Sequence, residues 1–177
     1  LKHGQVLVKI DKSGVCRSQI FEILGERGPD KWLPHLLGHE ALGEVVEIGD
    51  GVKTVKVGDY VILSWIKSMG ISAIPAKYNW RGKIVNSGRV TTFSEYSICS
   101  EDRCVSISKD LVSKVGASIG CAIPTGYGIS LTLKEIKKAK TVGIIGLGGI
   151  GMSALLGVLN ETSAQILAID INEERLQ

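Results

Sequence analysis

The stretch LGHEALGEVVEIGDGVKTVKVGDYV, residues 37–61, decides how this chain folds. It sets His39 and Glu40 side by side between two glycines, Gly38 and Gly43. Ala41 to Ile48 is short and rich in Val and Ile, the composition of a strand. Gly49-Asp50-Gly51 and Gly58-Asp59 are turn signals, and Tyr60 to Ser64 reads as a second strand. A His held between glycines at the mouth of a small β-barrel is placed to point at something. Alone it would more often be a satisfied core residue, so its neighbours along the chain decide its meaning.

Upstream, Gln5 to Lys12 alternates with Val6, Val8 and Ile10 on one side, a half-buried strand that ends at Ser13-Gly14. Val15-Cys16-Arg17-Ser18-Gln19 follows, with Ser18 expected to cap a short helix through Leu24 that Gly25 stops. An isolated Cys is usually a buried structural thiol. Here His39 arrives 23 residues after Cys16, beyond a Pro-containing loop. A thiolate and an imidazole brought together from two loops suit Zn²⁺.

Downstream, Phe93 to Cys99 and Arg103 to Ile107 return to the strand pattern and are expected to complete the barrel. Residues 108–119 read as a loop followed by a short helix. A helix is expected from Pro124-Thr125-Gly126-Tyr127-Gly128 into the basic run Lys134 to Lys140, whose charges complement a helix C-terminus. Between the strands, Tyr60 to Ser94 holds no Asp or Glu but does hold Lys67, Lys77, Arg81, Lys83 and Arg89. This segment is either a solvated loop or a contact for an anionic group on a substrate or partner subunit.

Thr141 to Leu147 is an apolar, β-leaning run that enters Gly146-Leu147-Gly148-Gly149-Ile150-Gly151. A lone GxGxxG is weak evidence. This one follows a strand, opens an apolar helix from Ile150 to Leu159, and leads to a strand, Gln165 to Asp170, ending in an acid 19 residues past the last glycine. That context makes it a dinucleotide-binding fingerprint. Gly146 permits the tight turn, Gly148 lets a pyrophosphate approach, and Gly151 lets helix and strand pack closely. The N–H groups from Leu147 through Gly149 and Ile150 face the phosphates at the helix N-terminus. Asp170 bonds the ribose hydroxyls and repels a 2′-phosphate, favouring NAD over NADP.

Composition removes other classes. The net charge of +3 in 177 residues is too small to imply nucleic acid. The apolar runs are short and broken by Gly or charge, so no membrane span is expected. The N-terminus enters a strand at once, without a signal-peptide pattern. The four Cys are mostly far apart, which argues against a disulfide framework and for a reducing cytoplasm. With 44% hydrophobic residues and 22 Gly, a packed core with many turns is expected.

GVCRS, LGHEALGEVVEIG and VGDYV together resemble the medium-chain dehydrogenase/reductase superfamily, in its zinc-dependent alcohol dehydrogenase branch. The resemblance spans nearly the whole chain. It implies a GroES-like β-barrel catalytic domain over residues 1–122 and the start of a Rossmann nucleotide-binding domain over 123–177, an α/β protein with a β-rich part. It implies one catalytic zinc on Cys16, His39 and Cys121, with Glu40 beside it as an outer or occasional ligand unless it is only a surface carboxylate. It gives Ser18 the hydroxyl proton, Arg17 the cofactor pyrophosphate, Thr125 a cofactor contact, and Arg175 either the adenosine ribose or a plain surface position. The activity implied is reversible oxidation of a small-molecule alcohol, with hydride transfer to NAD, by a homodimer or homotetramer.

Three departures from the pattern matter. The four-Cys lobe that holds a structural zinc in many relatives is replaced by the Cys-free residues 65–92. Gln19 stands where an Asp often bonds the zinc-binding His, and is expected to orient His39 without adding charge. Phe21 stands where some relatives have a relay His. Only two Rossmann strands are present, so the chain is expected to be part of a protein about twice as long and inactive alone. A zinc-free quinone or enoyl reductase, or a non-catalytic binding protein of the same fold, are the competing readings.

Overall fold

The computed structural model describes residues 1–112 and 116–177, which cluster into two compact units, Leu1–Cys121 and Ala122–Gln177. The first is built on β1 (Gln5–Ser13), β2 (Glu40–Ile48) and β3 (Tyr60–Ser64). These pair antiparallel with β6 (Tyr96–Ser100) and β7 (Cys104–Ser106) in one five-stranded sheet, ordered β6-β1-β2-β3-β7. Alternation drives the pairing. Val6, Val8, Val45, Val61 and Leu63 are fully buried on one face, each contributing about 1.5–3 kcal/mol of apolar burial. Cys99 and Cys104 belong to the same core, with their sulfurs 3.5 Å apart. Leu7 pairs with Glu47 and Val8 with Val45, so Val46 is the extra residue of a bulge that bends β2 over β1.

The expected barrel does not close among the described residues, because β6 and β7 lie at opposite edges of the sheet. Where a ladder between them would run, the chain turns through Glu101–Arg103 and buries two carboxylates. Glu101 accepts the backbone N–H groups of Lys53, Thr54 and Ile71, and Asp102 accepts from Ser72 Oγ at 2.5 Å. Side-chain acceptors thus hold the loops around Thr54 and Ile71 in place.

The basic segment contains an element that the sequence reading treated as loop. Lys77–Trp80 (β4) and Lys83–Asn86 (β5) form a hairpin, turning through Arg81 (φ +50°) and Gly82 (φ +77°). Two successive positive φ values make the turn that matches strand twist, but an Arg at the first of them hides the usual signal. The hairpin holds the approach to His39: Leu36 N–H donates to Asn86 O, and Asn86 N–H to Pro34 O. The helix α1 spans Arg17–Ile23 with Cys16, not Ser18, at its N-cap. A short helix α2 (Lys109–Val112) and a 3₁₀ turn (Ala117–Gly120) occupy most of the loop-and-helix segment, whose residues 113–115 lie outside the described residues.

The second unit is a βαβ motif with a preceding helix. β8 (Thr141–Ile145) pairs in parallel with β9 (Gln165–Ile169), and α4 (Gly149–Glu161) connects them. α3 (Ala122–Thr132) lies against α4 through small residues, Gly126 and Ser130 facing Ser153 and Gly157. The basic run does not extend α3 as expected. It forms a separate 3₁₀ turn, Lys134–Lys138, after Leu133 leaves helical geometry, and Lys137 pairs with Glu161 at 3.0 Å. Among the described residues, no helix is long and apolar enough to cross a membrane.

Candidate functional site

Three segments of the first unit converge on one point. Cys16 ends the turn after β1, His39 immediately precedes β2, and Cys121 follows the 3₁₀ turn. Their ligand atoms all lie within 4.8 Å of one another, and His39 Nε2 is 3.3 Å from Cys121 Sγ. The backbone arranges this locally. Gly38 has φ +89°, and a Cβ there would meet Thr92 Oγ1 at 2.4 Å and the Phe93 nitrogen at 2.8 Å, so the residue before His39 must be Gly. Ser64 Oγ, at the end of β3, donates to Gly120 O at 2.6 Å and seats the residue before Cys121.

The donor set fits a tetrahedral cation. Nitrogen and sulfur donors at zinc distances stand about 3.5 Å apart, close to the spacing of His39 and Cys121. Burial lowers the His39 pKa, favouring the neutral imidazole that a metal requires. Burial, then Cys16 and Glu40 nearby, push the Cys121 thiol up to about 11. A cation at the point of convergence is what would release that proton near neutral pH.

The neighbours hold less expected places. Glu40 begins β2, 3% exposed, outside the convergent set. Its Oε2 is buried without a hydrogen-bond partner, and burial raises its pKa. A buried, unpaired carboxylate beside three ligand atoms is the arrangement that a nearby positive charge stabilises. Ser18 Oγ donates to Cys16 Sγ at 3.3 Å. Arg17 is exposed, with its guanidinium 5.2 Å from the Phe21 ring centre. Gln19 does not touch the His39 ring as expected. Its Oε1 accepts the Gly38 N–H and its Nε2 donates to Glu22 Oε2 at 2.9 Å, so it fixes the backbone that carries His39 instead.

A second set of donors escaped the sequence reading. Glu22, Asp30 and His35 also place their ligand atoms within 4.8 Å of one another. No spacing signal marks them, since one lies on a helix and two on an irregular loop.

In the second unit the glycine-rich turn has the expected geometry. Gly146 has φ +89°, and a Cβ on Gly151 would lie 1.8 Å from Gly146 O, so both must be Gly. A Cβ on Gly148 would meet nothing within 4 Å, leaving open space outside the N-terminus of α4. Gly149 opens that helix and Ile150 follows it. Asp170 Oδ2 accepts the Leu147 N–H at 2.6 Å and lies 3.4 Å from Arg175. Hydrogen bonds from the Asn172 and Leu147 N–H groups, helped by Arg175, hold the Asp170 carboxyl below its ordinary range. Thr125 Oγ1 on α3 is buried without a partner.

Residues 2–109 match the alcohol dehydrogenase GroES-like domain, and the chain belongs to that family. It is 30% identical over 201 aligned positions to the S-(hydroxymethyl)glutathione dehydrogenase of Photobacterium damsela subsp. piscicida, covering 99% of this chain and 54% of that protein. Among solved structures it resembles benzyl alcohol dehydrogenase from Acinetobacter calcoaceticus, with a TM-score of 0.80, 28% identity, and coverage of 99% and 54% of the two chains. It also resembles the alcohol dehydrogenase of the archaeon Aeropyrum pernix, with a TM-score of 0.73, 25% identity and the same coverage. The chain spans about half the length of the curated relatives it matches.

Proposed function

We propose that the chain forms the metal-binding part and the first nucleotide-binding strands of a zinc-dependent, NAD-linked alcohol dehydrogenase. The convergence of Cys16, His39 and Cys121 within 4.8 Å, from three distant segments, is the observation that supports this reading. A zinc ion held by these residues supplies Lewis acidity that lowers the pKa of an alcohol hydroxyl. NAD, when bound, supplies the hydride acceptor.

The chain's own residues do the rest. Ser18, whose hydroxyl rests on the Cys16 sulfur, takes the substrate's hydroxyl proton at Oγ. With Phe21 in the relay position, that proton leaves through water. Glu40 sits behind the ligands as a compensating charge. The turn from Gly146 to Gly151 presents the N–H groups at the start of α4 to a pyrophosphate, with Thr125 as a further contact. Asp170 receives the ribose hydroxyls with Arg175 beside it, and its negative charge disfavours a 2′-phosphate. The zinc-free reductase reading would make the convergence of all three ligands accidental.

The proposed substrate is a small-molecule alcohol. Of the five cations between residues 60 and 94, Lys77 lines the cavity that His39 also lines, which supports an anionic group on the substrate. Arg89 is already paired, 4.0 Å from Asp102, so the cluster is not uncompensated as the sequence suggested. A homodimeric or homotetrameric, cytoplasmic enzyme completes the proposal, and light scattering of the full-length protein checks the assembly. The deciding experiment is zinc content and NAD reduction by the full-length protein across an alcohol panel. Zinc-free protein that still turns over would end this reading.

A further inference from the structure

We infer that Glu22, Asp30 and His35 form a second divalent-metal site, with one nitrogen and two oxygen donors, opening on the same cavity as His39. The cavity has a volume of about 530 Å³ and is lined by all four residues. The proposal does not depend on the thiolate site being catalytic.

The three inward atoms are Glu22 Oε1, Asp30 Oδ2 and His35 Nε2. His35 Nε2 lies 2.8 Å from Asp30 Oδ2 and 3.5 Å from Glu22 Oε1. Donors around an ion at about 2.0–2.2 Å stand roughly 3–3.5 Å apart, so modest movement admits one. Each residue is held from outside the cluster by its other polar atom. Glu22 Oε2 accepts from Gln19 Nε2 at 2.9 Å, and Asp30 Oδ1 accepts the Trp32 N–H at 2.7 Å. His35 Nδ1 is 2.8 Å from Leu36 O. A carbonyl only accepts, so Nδ1 carries the hydrogen and Nε2 is the ring nitrogen that faces the carboxylates, 2.8 Å from Asp30 Oδ2. A ring N–H on a backbone carbonyl, with the opposite nitrogen turned toward other donors, is the outer arrangement of metal-ligating histidines.

With no proton on Nε2, its lone pair would face two carboxylate oxygens, which is repulsive until a cation enters. A proton on Nε2 satisfies Asp30 but leaves Glu22 Oε1 at 3.5 Å. A divalent ion engages all three donors and balances both carboxylate charges. Arg27 approaches the outward oxygen of Glu22, at 3.9 Å, and leaves the inward one open. The hairpin's Asn86 pins the backbone on both sides of His35. Because Gln19 joins Glu22 to the Gly38 N–H, an ion here also braces the segment that carries His39.

Without a thiolate, this donor set accepts Mn²⁺, an ion that the two-sulfur site disfavours. The test titrates Mn²⁺ into the full-length protein and reads free Mn²⁺ by electron paramagnetic resonance. Wild type and Cys121→Ser should each bind one Mn²⁺ per chain with the same affinity. His35→Ala and the near-isosteric Glu22→Gln should each weaken binding at least about ten-fold, with circular dichroism confirming the fold. No Mn²⁺ binding by wild type, or binding unchanged in both variants, would overturn the site. Loss in Cys121→Ser would overturn it too, by assigning the ion to the thiolates. Failure of Cys121→Ser to lose zinc would count against the proposed catalytic centre and leave this site standing.

Discussion

His39 Nε2 lies 3.3 Å from Cys121 Sγ although 82 residues separate them. Dialysed full-length protein should therefore retain one zinc per chain, and Cys121→Ser should lose both the metal and turnover. Cys99→Ser and Cys104→Ser should keep the zinc, because those sulfurs sit in the sheet core. They should lower the melting temperature, since each buries a hydroxyl at a cost of about 1–3 kcal/mol. Elemental analysis and calorimetry check this, and two tightly held zinc ions in Glu22→Gln, which disables the second site, would refute it.

Gln19 ties α1 to the Gly38 N–H, next to His39. Gln19→Leu keeps the volume but removes that acceptor and leaves the N–H unpaired in a buried place. Zinc affinity should fall about 10–100-fold, with a smaller loss of stability. Competition with a chromophoric chelator measures the change. Unaltered affinity would mean that the Gly38 loop holds itself.

Asp170 predicts NAD preference. Asp170→Ser should narrow the ratio of NAD to NADP in kcat/KM by removing the ribose acceptor and the charge facing a 2′-phosphate. Because Asp170 also accepts the Leu147 and Asn172 N–H groups, some stability should be lost as well. A wild-type enzyme that prefers NADP would contradict the assignment.

Glu101 predicts an acid-labile corner. Burial alone would raise its pKa, but hydrogen bonds from the Lys53, Thr54 and Ile71 backbones outweigh that and lower it from 4.5. A depressed carboxyl pKa stabilises the fold fully above the unfolded value, and that stability is lost as pH falls through the folded one. Unfolding free energy should thus decline below about pH 4.5, more shallowly in Glu101→Gln. At neutral pH that variant should be less stable by about 1–3 kcal/mol, because the amide cannot accept all the bonds. Denaturant titrations across pH distinguish the two slopes.

Lys77 predicts substrate charge. Lys77→Ala should lower kcat/KM for anionic alcohols while sparing neutral ones, and more at low ionic strength, since screening acts over about 8 Å in ordinary salt. Arg81→Ala, which removes a guanidinium lying 5.1 Å from the Trp80 ring on the hairpin, should have little effect. Equal losses for both substrate classes would assign Lys77 a structural role.

By itself the sequence determined the elements whose information is local. Alternation of Val and Ile placed β1, β2 and β3, because side chains on a strand alternate between faces. Glycines at fixed offsets placed the turn of the βαβ motif, because backbone conformation there depends on having no Cβ. Cys16 and His39 were paired from their two loops, while Cys121 came only by resemblance, since nothing local joins it to His39, 82 positions away. Only the tertiary structure decided the rest. It left the sheet open, with β6 and β7 at opposite edges and Glu101 and Asp102 buried in the turn between them. It made a hairpin of the basic segment, where Arg81 accepts a positive φ that its residue type does not advertise. It turned Gln19 from the His39 ring to the Gly38 backbone and gathered Glu22, Asp30 and His35. Those outcomes depend on which groups meet across the fold, and spacing along a chain records no such meeting.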